Sequence, residues 1–130
     1  MAELVKYELR GRVAMIGLNR PDKLNALNAD LLAEFDAILD RYEADDSARV
    51  AVLYGEGRSF SVGHDLSPNE PRRELTAAED RRRIAAFARR WLRLWDCPKP
   101  VVAQIGGRIH PKLHLELRLS QRRGQAASRH

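Results

Sequence analysis

One cysteine, Cys97, is all the sequence contains. A single thiol excludes an internal disulfide and the small disulfide-stapled secreted folds, and it fits a reducing compartment. No run of about 18 apolar residues exists, so no transmembrane helix is expected. Met1 to Lys6 lacks the apolar core of a signal peptide, and the expected location is cytoplasmic. No internal repeat stands out. Histidine is scarce too: after His64 the next is His110. That spacing supplies no metal-ligand cluster, and no metal is expected.

What remains is ordinary for one globular domain with a modest core. Hydrophobic residues make up 44% of the 130 and charged residues 32%, as in soluble proteins generally. The net charge of +5 is unevenly placed. Residues 106–130 hold six of the 23 basic side chains and, in Glu116, one of the 18 acidic ones, which leaves 17 of each in residues 1–105. The basic character therefore belongs to the tail, and any nucleic-acid binding would rest there. No nucleic-acid partner is expected of the folded part.

Along the chain, Leu4 to Leu9 and Arg12 to Leu18 favour strand, with Arg10-Gly11 suited to a tight hairpin between them. Asn19-Arg20-Pro21-Asp22 stops the second strand. Asn28 can cap a helix, and Asp30 suits its positive first turn. Leu31, Phe35, Ile38 and Tyr42 recur at helical spacing, widened by Leu32 and Leu39. Val50 to Tyr54 reads as a third strand. A polar loop with Pro68 and Pro71 leads to Thr76-Ala-Ala-Glu79, which has capping-box spacing. The helix that follows carries Ile84, Phe87, Ala88, Trp91, Leu94 and Trp95 along one face, expected to be core and not a base-stacking platform. Arg81, Arg82, Arg83, Arg89, Arg90 and Arg93 crowd its other side, expected as a solvated face balanced by Asp80 and Asp96. Pro98 and Pro100 end it, and Val101 to Ile105 forms a fourth strand. In the tail, Leu113, Leu115, Leu117 and Leu119 alternate with polar residues as a strand would, and Gln121 to His130 has a disordered composition.

Two segments invite chemistry. Arg58-Ser-Phe-Ser-Val-Gly-His-Asp-Leu66 follows the third strand, and its glycine sits where the backbone turns. Such a turn can aim backbone N–H groups at a ligand oxygen; taken alone it also suits a plain turn. Leu18-Asn-Arg-Pro-Asp-Lys-Leu-Asn-Ala-Leu27 likewise follows a strand. With Lys99-Pro-Val-Val-Ala-Gln-Ile105, these segments resemble the crotonase family, the enoyl-CoA hydratases and isomerases, in order and spacing from about residue 3 to residue 105. The resemblance implies an α/β fold, the opening turns of a ββα spiral, over residues 1–105, and leaves 106–130 as a divergent, poorly ordered basic tail. It implies an acyl-CoA thioester as substrate, with no further cofactor, and stabilisation of a thioester enolate as in the hydration or isomerisation of enoyl-CoA in fatty acid metabolism. By the same resemblance the backbone N–H of His64 is an oxyanion donor, with Gly63 giving the backbone room. Val62, Asp65 and Leu66 line the CoA groove, and Lys23, Leu24, Ala26 and Leu27 touch the adenine and pantetheine parts of CoA. Lys23 alone reads equally well as a solvated lysine on a turn.

The pattern breaks after Ile105. Gly107 keeps the glycine that crotonases place after this strand, but the glycine triplet that gives the second oxyanion donor falls on Pro111, Lys112 and Leu113. Proline has no N–H to offer, although Lys112, at the middle place that gives the donor, does. The first catalytic glutamate falls on Leu115, with Glu116 one place away, and the second would lie beyond His130. A truncated or frameshifted gene product is the expectation, inactive alone, for which DNA sequence past the codon of Ile105 is the test. Intact relatives form trimers or hexamers; this chain is expected to self-associate irregularly. The alternatives are a non-catalytic CoA-binding remnant, a partner of another crotonase chain, or a nucleic-acid binder acting through the tail.

Overall fold

The computed structural model describes residues 3–65 and 74–109. Two strands, β1 (Val5–Arg10) and β2 (Val13–Leu18), form an antiparallel hairpin in which Val5 faces Leu18 and Arg10 faces Val13. The turn therefore falls on Gly11-Arg12, one residue later than the sequence suggests. Helix α1 (Ala29–Ala44) leads to β3 (Val50–Gly55), which runs parallel to β2. A short strand, β4 (Ser59–Ser61), precedes helix α2 (Ala77–Asp96). Strand β5 (Val101–Ala103) joins β3 in parallel, giving a sheet of order β1-β2-β3-β5. Strand β6 (Arg108–Ile109), on the tail side of residue 105, pairs in parallel with β4 as a second small sheet. The expected strand to Ile105 is shorter than anticipated; Gln104 N–H still reaches the Leu53 carbonyl at 2.8 Å, but Ile105 lies outside the strand and is 37% exposed.

Helix α1 begins as its cap predicts: the Asn28 side chain accepts the Leu31 N–H at 2.9 Å. Leu31, Phe35, Leu39 and Tyr42 are buried against Ala14, Ile16, Leu18, Ala51 and Leu53 of the sheet, with Leu32 and Ile38 at the margin. Each large apolar side chain so buried contributes roughly 1.5–3 kcal/mol. The helix C-terminus is closed from afar. The Lys99 ammonium donates to the carbonyls of Tyr42, Asp45 (2.9 Å) and Ala48 (3.1 Å) and sits 4.4 Å over the Tyr42 ring, so a cation meets the negative end of the helix. Tyr42 Oη in turn donates to the Pro100 carbonyl at 2.7 Å. Together these contacts lock the entry to β5 onto the first ββα unit.

Tyr7 Oη donates to Asp45 Oδ2 at 2.7 Å. Burial first, and then this bond, push the phenol up to about 12, while the bond holds the Asp45 carboxyl below its usual range. A carboxylate with a depressed folded pKa stabilises the fold above its unfolded pKa and loses that contribution as pH falls through the folded value. Tyr7→Phe is thus expected to be less stable than wild type near neutrality, with the gap closing below about pH 4. Paired urea titrations at several pH values check this; a gap that stays constant into acid refutes it.

Helix α2 starts with the expected capping box: Glu79 N–H donates to Thr76 Oγ1 at 3.2 Å, and Thr76 N–H donates to Glu79 Oε2 at 2.9 Å. Its apolar face is only partly core. Leu94 is buried and Trp91 packs against the core, but Ile84 is 59% exposed and Leu92, outside the expected stripe, 56%. Nor are all its arginines merely solvated. Arg90 grips both carboxylate oxygens of Asp36 at 2.8 Å, and Arg93 reaches Asp40 and Glu43, so two of them clamp α2 to α1. Leu66, the Pro68–Pro71 loop, the alternating leucines of 113–119 and residues 121–130 lie outside the described residues. Among the described residues no helix is long and apolar enough to cross a membrane.

Candidate functional site

After β2 the chain makes a 3-10 turn at Pro21–Lys23 and then places Leu24 and Asn25 in the left-handed region, φ +53° and +55°. Asparagine tolerates that conformation because its short polar side chain bonds locally. Asn25 is fully buried. Its carbonyl oxygen accepts the Arg20 N–H at 2.8 Å, and its amide donates to the carbonyls of Glu56 (3.0 Å) and Ser59 (2.9 Å). One side chain thus ties the loop after β2 to the loop after β3. A buried polar group stands only when satisfied in this way.

The two loops then run together. Val62 N–H donates to the Leu24 carbonyl at 3.2 Å, Leu27 N–H to Gly63 at 2.7 Å, and Asp65 N–H to Leu27 at 3.1 Å, with Leu27 and His64 in a parallel bridge. The expected CoA-loop residues Lys23, Leu24, Ala26 and Leu27 and the expected turn Val62-Gly63-His64-Asp65 are therefore one contiguous structure. Ser61 reinforces it from below: its hydroxyl donates to the Asn25 carbonyl at 2.7 Å and accepts the Gly63 N–H at 3.1 Å. Gly63 has φ +87°, a conformation in which a side chain would be strained.

The side chains divide by exposure. Lys23 and His64 are exposed, Leu24 and Val62 half-buried, and Ala26 and Leu27 buried. Leu27 faces an apolar crevice shared with Leu31, Phe35, Phe60 and Trp91. The His64 ring lies 4.4 Å from that of Phe87, which meets Trp91 edge-on at 5.6 Å, so α2 touches the turn through a chain of rings. The Asp65 carboxylate is taken up by Arg20 at 2.6 Å, both side chains largely buried, and Arg20 also donates to the Ala26 carbonyl at 3.1 Å. A buried charge needs such a partner. Arg20, Asn25 and Ser61 were not among the residues expected from sequence. No periodicity marks them, and only a polar residue amid Leu24, Ala26 and Leu27 hints at Asn25.

Because β4 and β6 are parallel, both strands deliver the chain to the same edge. Gly107, beside Ser59 with φ +68°, could not carry a side chain, since its Cβ would run into the Arg58 carbonyl. Among the described residues, no three His, Cys, Asp or Glu gather closely enough to hold a metal ion.

The pattern that describes enoyl-CoA hydratase/isomerase proteins matches residues 8–110. The chain belongs to that family. Similar proteins include one from Thermus thermophilus named as an enoyl-CoA hydratase, 38% identical over 75% of this chain and 39% of its own length. A 1,2-epoxyphenylacetyl-CoA isomerase of Escherichia coli is 32% identical over 82% of this chain and 41% of its own. The crystal structure of an enoyl-CoA hydratase/isomerase from Xanthobacter autotrophicus superposes with a TM-score of 0.75 at 34% identity, covering 82% of this chain and 40% of that one. The fold is thus crotonase-like, and the chain spans about two fifths of the length of these relatives. The match runs to residue 110, a few residues past Ile105 and one past the last described residue. In this crotonase-family chain the two hydrogen-bonded loops carry an exposed lysine at one end and an exposed histidine turn at the other.

Proposed function

We propose that the chain holds the CoA part of an acyl-CoA thioester along the paired loops, with Lys23 toward phosphate and Leu24, Ala26, Leu27, Val62, Asp65 and Leu66 forming the groove. In this reading the His64 backbone N–H faces the thioester oxygen, and Gly63 leaves room for it. The single observation that carries the reading is the set of three backbone hydrogen bonds joining 24–27 to 62–65. Such a set holds donors in place before a ligand arrives, which is what electrostatic stabilisation of developing charge requires. The Asp65 carboxylate, paired with Arg20, serves here as a brace for the groove wall.

In this reading the chain alone is non-catalytic. Pro111, Lys112 and Leu113 stand where the family has its glycine triplet, and Leu115 where it has a glutamate. Hydration or isomerisation of enoyl-CoA is the reaction of intact relatives, and this chain keeps the ligand-holding part, as a CoA-binding protein or as a partner of another crotonase chain. Among the described residues strands β1 and β5 end the sheet, and in this reading their edges favour irregular self-association.

Calorimetry with CoA tests the binding role. Weak binding is expected, and Lys23→Glu is expected to lower the affinity by about fivefold at moderate salt, the scale of reversing one exposed ion pair. Unchanged affinity removes this loop from the CoA site.

A further inference from the structure

Helix α2 carries six arginines, and the structure sorts them into two sets. Arg83 pairs with Asp80, Arg90 with Asp36, and Arg93 with Asp40 and Glu43. Arg81, Arg82 and Arg89 are exposed and have no ion pair among the described residues. These three lie beside an apolar ridge that the core does not use. Ile84, Ala88 and Leu92 recur every fourth residue and are all exposed, the two large ones by more than half. Arg81 stands three residues before Ile84, beside the ridge, whose own row of fourth residues ends in Asp80, paired with Arg83, and in Asp96. Arg82 and Arg89, seven residues and about 10 Å apart along the axis, flank its solvent side.

We propose that this face of α2 docks an acidic amphipathic helix of a partner protein. A ridge of residues four apart is the feature that fits between the ridges of a second helix. Its middle residue is alanine, which lets two helix backbones approach, while Ile84 and Leu92 act as apolar anchors at the two ends. The flanking cations select the partner's charge: glutamates or aspartates beside its apolar stripe would complete ion pairs that α2 leaves open. A second copy of α2 fits poorly, because it would set Arg82 and Arg89 against arginines. A membrane surface fits poorly as well. Interfacial helices immerse a broad face of large apolar side chains, whereas here the large exposed apolar side chains form a narrow ridge: Trp95 beside it is half-buried, and Phe87, Trp91 and Leu94 are turned toward the rest of the fold.

The test uses the full chain and a fluorescent helical peptide with leucines at every fourth position flanked by glutamates. A second peptide has lysines in place of the glutamates. Vesicles of phosphatidylglycerol and a single-stranded RNA serve as competing probes. The glutamate peptide is expected to bind at moderate salt, and the lysine peptide is not. Arg82→Glu with Arg89→Glu is expected to weaken the glutamate peptide at least about tenfold and to confer binding of the lysine peptide. Arg82→Lys with Arg89→Lys is expected to keep most of the affinity. Ile84→Ser with Leu92→Ser is expected to lose about tenfold or more by removing the anchors. All these positions are exposed, and circular dichroism checks that the fold is retained. Equal binding of the two peptides, affinity indifferent to these variants, or tighter capture by vesicles or RNA than by the glutamate peptide would each overturn the proposal.

Discussion

Crotonyl-CoA incubated with the purified chain is expected to remain unhydrated, at the rate of a protein-free control. Losing one oxyanion donor typically costs about 10²–10³ in rate, and proline at the first place of the triplet removes both its N–H and the flexible backbone that would aim the next one. Proton transfer by a positioned acid or base contributes about 10²–10⁴ more, and Leu115 stands where the family pattern has its first glutamate. The two losses fall on different parts of the reaction, namely charge on the thioester oxygen and handling of water, so neither offsets the other. The measurement is disappearance of the enoyl thioester absorbance. Protein-dependent turnover in material from a host lacking its own hydratases would show that a site forms without the triplet.

Asn25→Ala is expected to destabilise the fold by about 3–6 kcal/mol, since one buried and two part-buried backbone groups lose their partner, and each unsatisfied group costs about 1–3 kcal/mol when fully buried and less where water can reach it. The groups are the Arg20 N–H and the Glu56 and Ser59 carbonyls. Domains of this size have about 5–15 kcal/mol in all, so the variant sits near the threshold of folding. Asn25→Asp is expected to be no better, because it turns two donated bonds into contacts between a carboxylate and carbonyl oxygens. Urea denaturation gives the number; a loss below about 1 kcal/mol would mean that water replaces the side chain and that the loops are held elsewhere.

Much of this fold is legible in the chain because its elements obey simple periods. Tyr7 and Leu9 alternate with charged neighbours, Leu31 to Tyr42 follows helical spacing, and Asn28 and Thr76 cap as their types require. The misreadings have physical reasons. Ser59-Phe60-Ser61 is too short and too polar to announce a strand, and it becomes one only through its distant partner β6. Ile84 looked like core because helical spacing reports which residues are apolar, not how far the neighbouring sheet extends. The two loops of the candidate site could be named from their resemblance to a family, but what fastens them could not. Arg20, Asn25 and Ser61 act through bonds to backbone carbonyls and to Asp65, and no pattern of residue types encodes those.

The bonds of Asn25 to Glu56 and Ser59, and of Ser61 to Asn25, span 31 to 36 residues of chain, whereas the β1–β2 turn closes over two. Local turns close cheaply and early, and longer ones require the intervening chain to be arranged first. The hairpin and α1 can therefore organise before the groove exists, and the groove appears only when β3 has docked and carried Ser59 and Ser61 to Asn25. The paired-loop geometry in this sense follows the local elements, and the still longer links of α2 and of the entry to β5 with α1, spanning 54 to 58 residues, follow it. On the proposed reading of this site, a half-formed chain, however helical, has no place for a thioester, and occupancy of the groove would favour completion of folding over any intermediate that precedes it.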